Sequence, residues 1–523
     1  MAKRLPIPRG EALLVAVAAS LAAAHALALR GRSLVPVGFD IPLWTDAALR
    51  FRHGLAPPAP PVYPAASVLI DSASILVGGL AVSLLAAALL PAAAYALARE
   101  LGAGPLARVA SALAVALSPD LAAHGAFFGP DALAALVYAA WFAALLGAAP
   151  GWWLFLTTAL AVGVREPGLP LALVVATVAL VQPTWFGLSR PRAALVLAGV
   201  AGSMLLAGRW PASLAEAFPS IHKFAPLAAD LGGRGDGGYL LDVTAAIPGP
   251  LGGLEDAVRA AYAARVPDLG TLGRVAFNVL HAVVAHIDQL CLAALGAGGH
   301  WRGARAEGRP ERGRLACVLF LPLLGTLLAW SQRRHFLPWL ALSWAGVAVG
   351  IESLVLSRPR LTRRLAVAVF SLALWPALVI SPRARAWMQA REVADAAVHA
   401  LGGEIERATR RDDLLVFPLG RGLIDPVLLA SAERPVVSLD QRLRGALRWR
   451  SVLLLPATEP APPGWVSFAE AAGRRAYRYR SDVLDRECLR GELVGPLSFG
   501  LVPGDNGRGT RVVVRACGGS EGE

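Results

Sequence analysis

The chain has 523 residues, 56% of them hydrophobic and 17% charged, where an ordinary soluble domain is roughly 45–50% apolar and about 25% charged. That balance excludes a purely soluble protein. The formal net charge of +13 is almost wholly arginine, with lysine only at Lys3 and Lys223. No stretch interleaves basic and aromatic residues as a nucleic-acid surface would, so the charge is assigned to membrane topology and anionic lipid.

Long Ala/Leu/Val runs recur from about residue 11 to 382. They predict spans near 11–30, 74–98, 105–119, 131–148, 152–164, 168–183, 193–209, 272–297, 314–331, 336–356 and 363–382, about eleven in all. Two of these, 152–164 and 168–183, are short for a hydrocarbon core ~30 Å thick. The first run is read as an uncleaved span, because no small-residue cleavage site precedes a mature domain. Short-loop arginines set the orientation. With Lys3, Arg4 and Arg9 in the cytoplasm, Arg99, Arg108, Arg190 and Arg192 fall on the same side. So do the cluster from Arg302 to Arg314 and the one from Arg358 to Arg364, whereas the opposite loop at 118–131 carries no basic residue. An odd number of spans then exports the tail. The predicted organisation is a membrane domain, 1–382, with long outward loops at 31–73 and 210–271, followed by an extracytoplasmic α/β domain, 383–523.

In the tail, 412–418, 435–440 and 451–457 read as strands and 421–432 as a helix. The segment GWVSFAEAAGRRAYRYRS reads as a helix running into a strand, and TRVVVRAC as a closing strand. No GxGxxG or phosphate-binding loop occurs. Cys488 and Cys517 lie in this exported part, where a disulfide and two free thiols are both open readings.

Several polar residues stand where apolar ones are expected. Asp40 and Asp46 sit in GFDIPLWTDAALRFRHG, just beyond the first span, and 42–53 reads as an amphipathic interfacial helix. An acid there is either a base at the membrane surface or a partner for free helix N–H groups. Asp120 and Asp131 bracket the next outward loop, and Asp131 follows Pro130 at the start of a span, with the same two readings. Arg165 and Glu166 lie between the two short spans; charges at that depth face a cavity or each other. Arg333, Arg334 and His335 stand at the outward end of a span. Guanidinium forks there suit a phosphate, and snorkelling to lipid headgroups is the plainer alternative. His281, His286 and Asp288 fall inside a span, where helix–helix hydrogen bonding is favoured over a shared metal. No His/Cys/Asp/Glu spacing reaches the specificity of a metal motif.

Four of these stretches, taken in order, resemble the GT-C superfamily of integral-membrane glycosyltransferases, which includes protein O-mannosyltransferases and the aminoarabinose transferase. They are FDIPLWTDAALRFRHG with PVYP, then GPDALAALVYAAW, VREPGLPLAL and RRHFLPWLAL. The resemblance covers about residues 10–382 and implies an inverting transferase in the cytoplasmic membrane. It would move a sugar from a polyprenyl-phosphate carrier to a glycan, lipid or protein acceptor on the outer face. It implies Asp40 or Asp46 as the base, with Asp131 orienting the acceptor or tuning the base. Arg333, Arg334, His335 and Arg165 would hold the donor phosphate, and a divalent metal is left open. The first loop departs from the pattern in lacking an adjacent second acid, and Arg165 stands where a lysine is common. A lipid-linked sugar flippase, an O-antigen polymerase or ligase, and a non-catalytic scaffold are the competing expectations.

Overall fold

Each predicted apolar run is helical in its described part, because a backbone in hydrocarbon must satisfy its own hydrogen bonds. The computed structural model describes residues 8–30, 41–52, 60–147, 149–165, 167–206, 249–265, 270–323, 333–357 and 359–410. In the tail it describes 414–417, 433, 436–438, 451–458, 460, 465–471 and 473–479. Four described helices are long and apolar enough to cross a membrane: 9–30, 75–100, 275–306 and 333–354. A fifth span arises if 105–116 and 119–126, bent by 52°, count as one, and 131–146, 151–164 and 168–181 are shorter apolar helices.

The chain forms two compact units, Met1–Gly31 with Val82–Met388, and Arg32–Ala81 with Gln389–Glu523. The first holds α1 (Arg9–Arg30), most of α4 (Ile75–Glu100), α5 (Pro105–Ala116), α6 (Pro119–Ala126), α7 (Asp131–Leu146), α8 (Gly151–Val164) and α9 (Gly168–Val181). Then come α10 (Pro183–Phe186), α11 (Arg190–Leu206), α12 (Gly252–Arg265), α13 (Thr271–Ala306) and α14 (Pro310–Leu319). A 3₁₀ turn, Arg333–Trp339, leads into α15 (Leu340–Ser357), and α16 (Pro359–Ala408) follows, its residues from Gln389 on counted with the second unit. Prolines open α5, α6, α10 and α14, where their missing N–H costs nothing.

Small residues let α13 and α15 approach closely. A Cβ on Gly299 would lie 1.9 Å from the Gly346 carbonyl oxygen, and one on Gly346 would lie 2.2 Å from that of Gly296. Without a hydrophobic driving force between helices in lipid, such close backbone packing is what holds them together. Helix α13 is itself interrupted at His286 (φ −123°, ψ 18°).

The second unit contains α2 (Ile41–Arg52), α3 (Val62–Ile70), the start of α4 and the tail. The predicted helix over 42–53 is present as α2, with Trp44, Ala47, Ala48 and Leu49 buried and Trp44 edge-on to Tyr63 at 5.8 Å. The tail carries β1 (Leu414–Phe417), β2 (Val436–Ser438), β3 (Ser451–Pro456), β4 (Trp465–Ala471) and β5 (Arg474–Tyr479) in the order β2-β1-β3-β5-β4. Strand β1 runs parallel to β2 and β3, while β5 is antiparallel to β3 and β4. The expected helix in GWVSFAEAAG is instead β4, the first arm of a hairpin. Gly473 takes the left-handed conformation (φ +70°) at the turn, and cross-strand pairing overrides the helix propensity of the alanines. The predicted helix at 421–432, the closing strand, Cys488 and Cys517 lie outside the described residues.

Candidate functional site

The site is built on the bend between α5 and α6, where Ser118 Oγ accepts from Leu121 N at 3.3 Å and caps α6. Asp120 and His124 follow on α6, both buried. Beyond it, the backbone up to Asp131 is held from two sides. Arg30 Nη1 donates to the Ala126 carbonyl at 2.8 Å, and Ser83 Oγ donates to the Gly129 carbonyl at 3.0 Å.

Asp131, the first residue of α7, makes an ion pair with Arg165 Nη2 through Oδ1. His124 Nδ1 lies 3.5 Å from its Oδ2. Its carboxylate is therefore engaged by side chains from α6 and from the α8–α9 junction. Arg165 meets Asp131 across 34 residues of sequence. Gly168 keeps that junction tight, since a Cβ there would lie 2.4 Å from the Ala161 carbonyl oxygen and 3.0 Å from Tyr138 Oη.

Arg333 forms the second half of the cluster. Its Nε and Nη2 donate to Asp120 Oδ1 and Oδ2 at 2.7 and 2.8 Å. Its Nη1 and Nη2 donate to Asp288 Oδ1 and Oδ2 at 2.9 and 2.6 Å. The remaining Nη1 hydrogen goes to the Ala285 carbonyl at 3.0 Å. A guanidinium has five N–H donors in a planar fork, so this arrangement uses the whole set. The Ala285 contact sits next to the interruption at His286, where a side chain inserted into the helical ladder accounts for the kink. Gln289 Nε2 adds bonds to Asp120 Oδ2 at 2.8 Å and to the Arg333 carbonyl at 3.2 Å. Its Oε1 faces His286 Nδ1 at 3.1 Å, which makes Nδ1 the proton-bearing nitrogen.

His124 joins the two halves: it lies within electrostatic range of Asp120, Arg165, Arg333 and Arg334, and its ring meets Phe127 edge-on at 5.2 Å. Asp120, Asp288 and Gln289 also line a small cleft of about 50 Å³. Its walls are apolar: Leu292 and Leu295 continue the α13 face beyond Asp288, opposite Trp344 and Val347 of α15. The cleft thus has two carboxylates and an amide at one end and apolar side chains along the rest.

Of the residues expected from sequence, Asp131 and Arg165 are brought together, while Arg333 and Arg334 are buried side by side with His335 at the start of the 3₁₀ turn. Arg333 has every donor committed within the protein. Asp46 lies on α2 in the other unit, and its side chain falls outside the described residues, as does Asp40. Asp120, His124, Asp288 and Gln289 were not assigned to the site from sequence. The available signal was a carboxylate and an amide inside the apolar run FNVLHAVVAHIDQL, where an acid needs a buried cation. His281 is placed with Glu255, Nε2 to Oε1 at 3.5 Å, away from this cluster. Among the described residues no three His, Cys, Asp or Glu side chains converge as a metal site.

No family model and no curated protein matches the chain. Solved structures do. ArnT from Cupriavidus metallidurans bound to undecaprenyl phosphate matches at 14% identity with a TM-score of 0.49, over 89% of this chain and 97% of that one. The archaeal oligosaccharyltransferase AglB from Archaeoglobus fulgidus, in complex with an inhibitory peptide and a dolichol-phosphate, matches at 13% identity with a TM-score of 0.48, over 82% of this chain and 64% of that one. The Archaeoglobus fulgidus oligosaccharyltransferase in the apo form matches at 13% identity with a TM-score of 0.50, over 86% of this chain and 69% of that one. At that identity the likeness is one of fold alone.

Proposed function

We propose that the chain is a GT-C-type glycosyltransferase that moves a sugar from a polyprenyl-phosphate carrier to an acceptor on the outer face of the cytoplasmic membrane. The observation that supports this reading is the gathering of Arg165, paired with Asp131, and the buried Arg334 around His124. A lipid phosphate needs fixed cations for its head, and guanidinium groups supply them. An oligosaccharyltransferase on the same fold is consistent with it.

On this reading an acid of the first outward segment, Asp40 or Asp46, removes the acceptor proton. The acceptor oxygen attacks the anomeric carbon, the bond from that carbon to the carrier phosphate breaks, and the configuration inverts. The leaving phosphate gains charge as it departs, so cations fixed beforehand lower the barrier. Arg334 and His335 are assigned to it in place of Arg333, whose five donors are committed to the protein. Arg165 completes the phosphate side, and its pair with Asp131 fixes the orientation of both groups.

The test is sugar transfer from radiolabelled polyprenyl-phosphate sugars in right-side-out and everted vesicles. Transfer by the wild type that is lost in Asp40→Asn or Asp46→Asn at unchanged protein level supports the assignment. Absence of transfer from a panel of carrier-linked sugars would turn the reading toward a lipid-linked sugar flippase or a scaffold.

A further inference from the structure

Among the described residues, the tail meets the first outward segment at Glu433. All groups involved belong to the same compact unit. The Glu433 carboxylate is buried against the start of α4: Oε2 accepts from Ile75 N at 2.8 Å, and Oε1 accepts from Leu76 N at 3.0 Å and from Ser74 Oγ at 2.8 Å. Helix N-termini leave their first N–H groups without partners, and the aligned peptide dipoles favour a negative charge there. A local acid already serves this end, since Asp71 Oδ1 accepts from Ala73 N at 2.8 Å and Ser74 N at 3.0 Å. Glu433 takes the next two N–H groups, from 357 and 358 residues away in sequence.

The same residue holds α2. Its carbonyl oxygen accepts from Arg52 Nη2 at 3.5 Å, and Arg52 is the last residue of the helix that carries Asp46. Its backbone stands at φ +46°, a left-handed conformation that a residue other than glycine keeps only where its surroundings over-determine it. A surface glutamate has no such constraint.

We infer that Glu433 is a positioning residue: it ties the C-terminal end of α2, at Arg52, and the start of α4 to the tail, so that the tail fixes where α2, the helix that carries Asp46, stands. The inference rests on the transferase reading for its kinetic consequence and on geometry alone for the contact. It assigns the tail a part in turnover beyond that of a spacer or a recruiter of acceptor. A carboxylate held by three donors loses all of them in Glu433→Ala, whereas Glu433→Gln keeps one acceptor oxygen and sets an NH2 donor where the other oxygen accepted.

The test uses the full-length chain in proteoliposomes. Glu433→Ala is expected to lower kcat by up to about 10²-fold, the loss that a misplacement of roughly 1 Å can cause, with KM for the lipid-linked donor unchanged. Glu433→Gln is expected to fall between Glu433→Ala and wild type. A second arm reads the contact itself. Ser74→Cys with Glu433→Cys, in a background with the four native cysteines replaced by alanine, is treated with a short reducible bis-thiosulfonate. The bridge is expected to form, to return kcat toward its background value, and to release that gain on reduction. Failure of the two positions to bridge, a wild-type kcat in Glu433→Ala, or a bridge without kinetic rescue each overturns the inference. A chain that bridges but transfers no sugar in any form removes the transferase reading and leaves the contact standing.

Discussion

Arg333 and Asp120 form a two-bond pair, Nε to Oδ1 at 2.7 Å and Nη2 to Oδ2 at 2.8 Å, with both side chains buried. Asp288 closes the other side of the same guanidinium. Removing one partner from such a buried pair leaves an uncompensated charge, which costs about 3–5 kcal/mol. Arg333→Ala, which strands two buried carboxylates, is therefore expected to destabilise the fold, and Asp120→Asn, which leaves Arg333 paired with Asp288, to do so less. Heat-induced loss of the monodisperse peak in detergent would measure this, and an unchanged transition in either variant would show that the cluster is not structural.

Arg334 separates from Arg333 in the same assay. If it meets the carrier phosphate, its charge-assisted hydrogen bonds, each worth roughly 1.5–3 kcal/mol, are made to the donor. Arg334→Ala should then raise KM for the lipid-linked donor or lower kcat by about 10–100-fold, with a thermal transition closer to wild type than that of Arg333→Ala. Equal destabilisation of the two variants would remove the distinction between them.

The α13–α15 contact offers a control within one helix. A side chain at Gly299 would press on the Gly346 carbonyl at 1.9 Å, whereas a Cβ at Gly298, one residue away, meets nothing within 4 Å. Gly299→Leu is expected to abolish folded protein. Gly298→Ala is expected to be neutral or to gain up to about 1 kcal/mol from helix propensity. Expression and size-exclusion profiles of the two variants check this directly, and equal tolerance would place the helices further apart than the contact implies.

The membrane helices were legible because hydrocarbon tolerates few polar residues, so Ala/Leu/Val runs mark them whatever the packing. The pairing of polar residues was less so. Arg333 meets Asp120 across 213 residues and Asp288 across 45, and separations of that size leave no periodicity to read. Asp288 showed that a cation had to be found, without showing which. The arginine pair at 333–334 read as one phosphate fork, although the kink at His286 and the acids around it engage the first guanidinium entirely. In the tail, AEAAG read as helix by propensity, and only the pairing of β4 with β5 across Gly473 decided otherwise.

Asp131 and Arg165 join the start of α7 to the α8–α9 junction. Asp131 is engaged by Arg165 and approached by His124, so a neutral amide in its place loses the pair while keeping its size. Asp131→Asn is expected to lower transfer by about 10²–10⁴-fold if the carboxylate tunes the base or orients the acceptor, within the range typical of a positioned acid–base group. Arg165→Lys keeps the charge and loses the planar fork, so it should retain more activity than Arg165→Ala and less than wild type. Gly168→Ala touches neither charge, yet its Cβ would lie 2.4 Å from the Ala161 carbonyl and must shift the junction that carries Arg165. It should therefore reproduce part of the Arg165→Ala defect without removing a charged group. Transfer rates for the four variants, normalised to folded protein, decide the matter. Full activity in both Asp131→Asn and Arg165→Ala would reduce the pair to packing and move the acid–base work elsewhere in the chain.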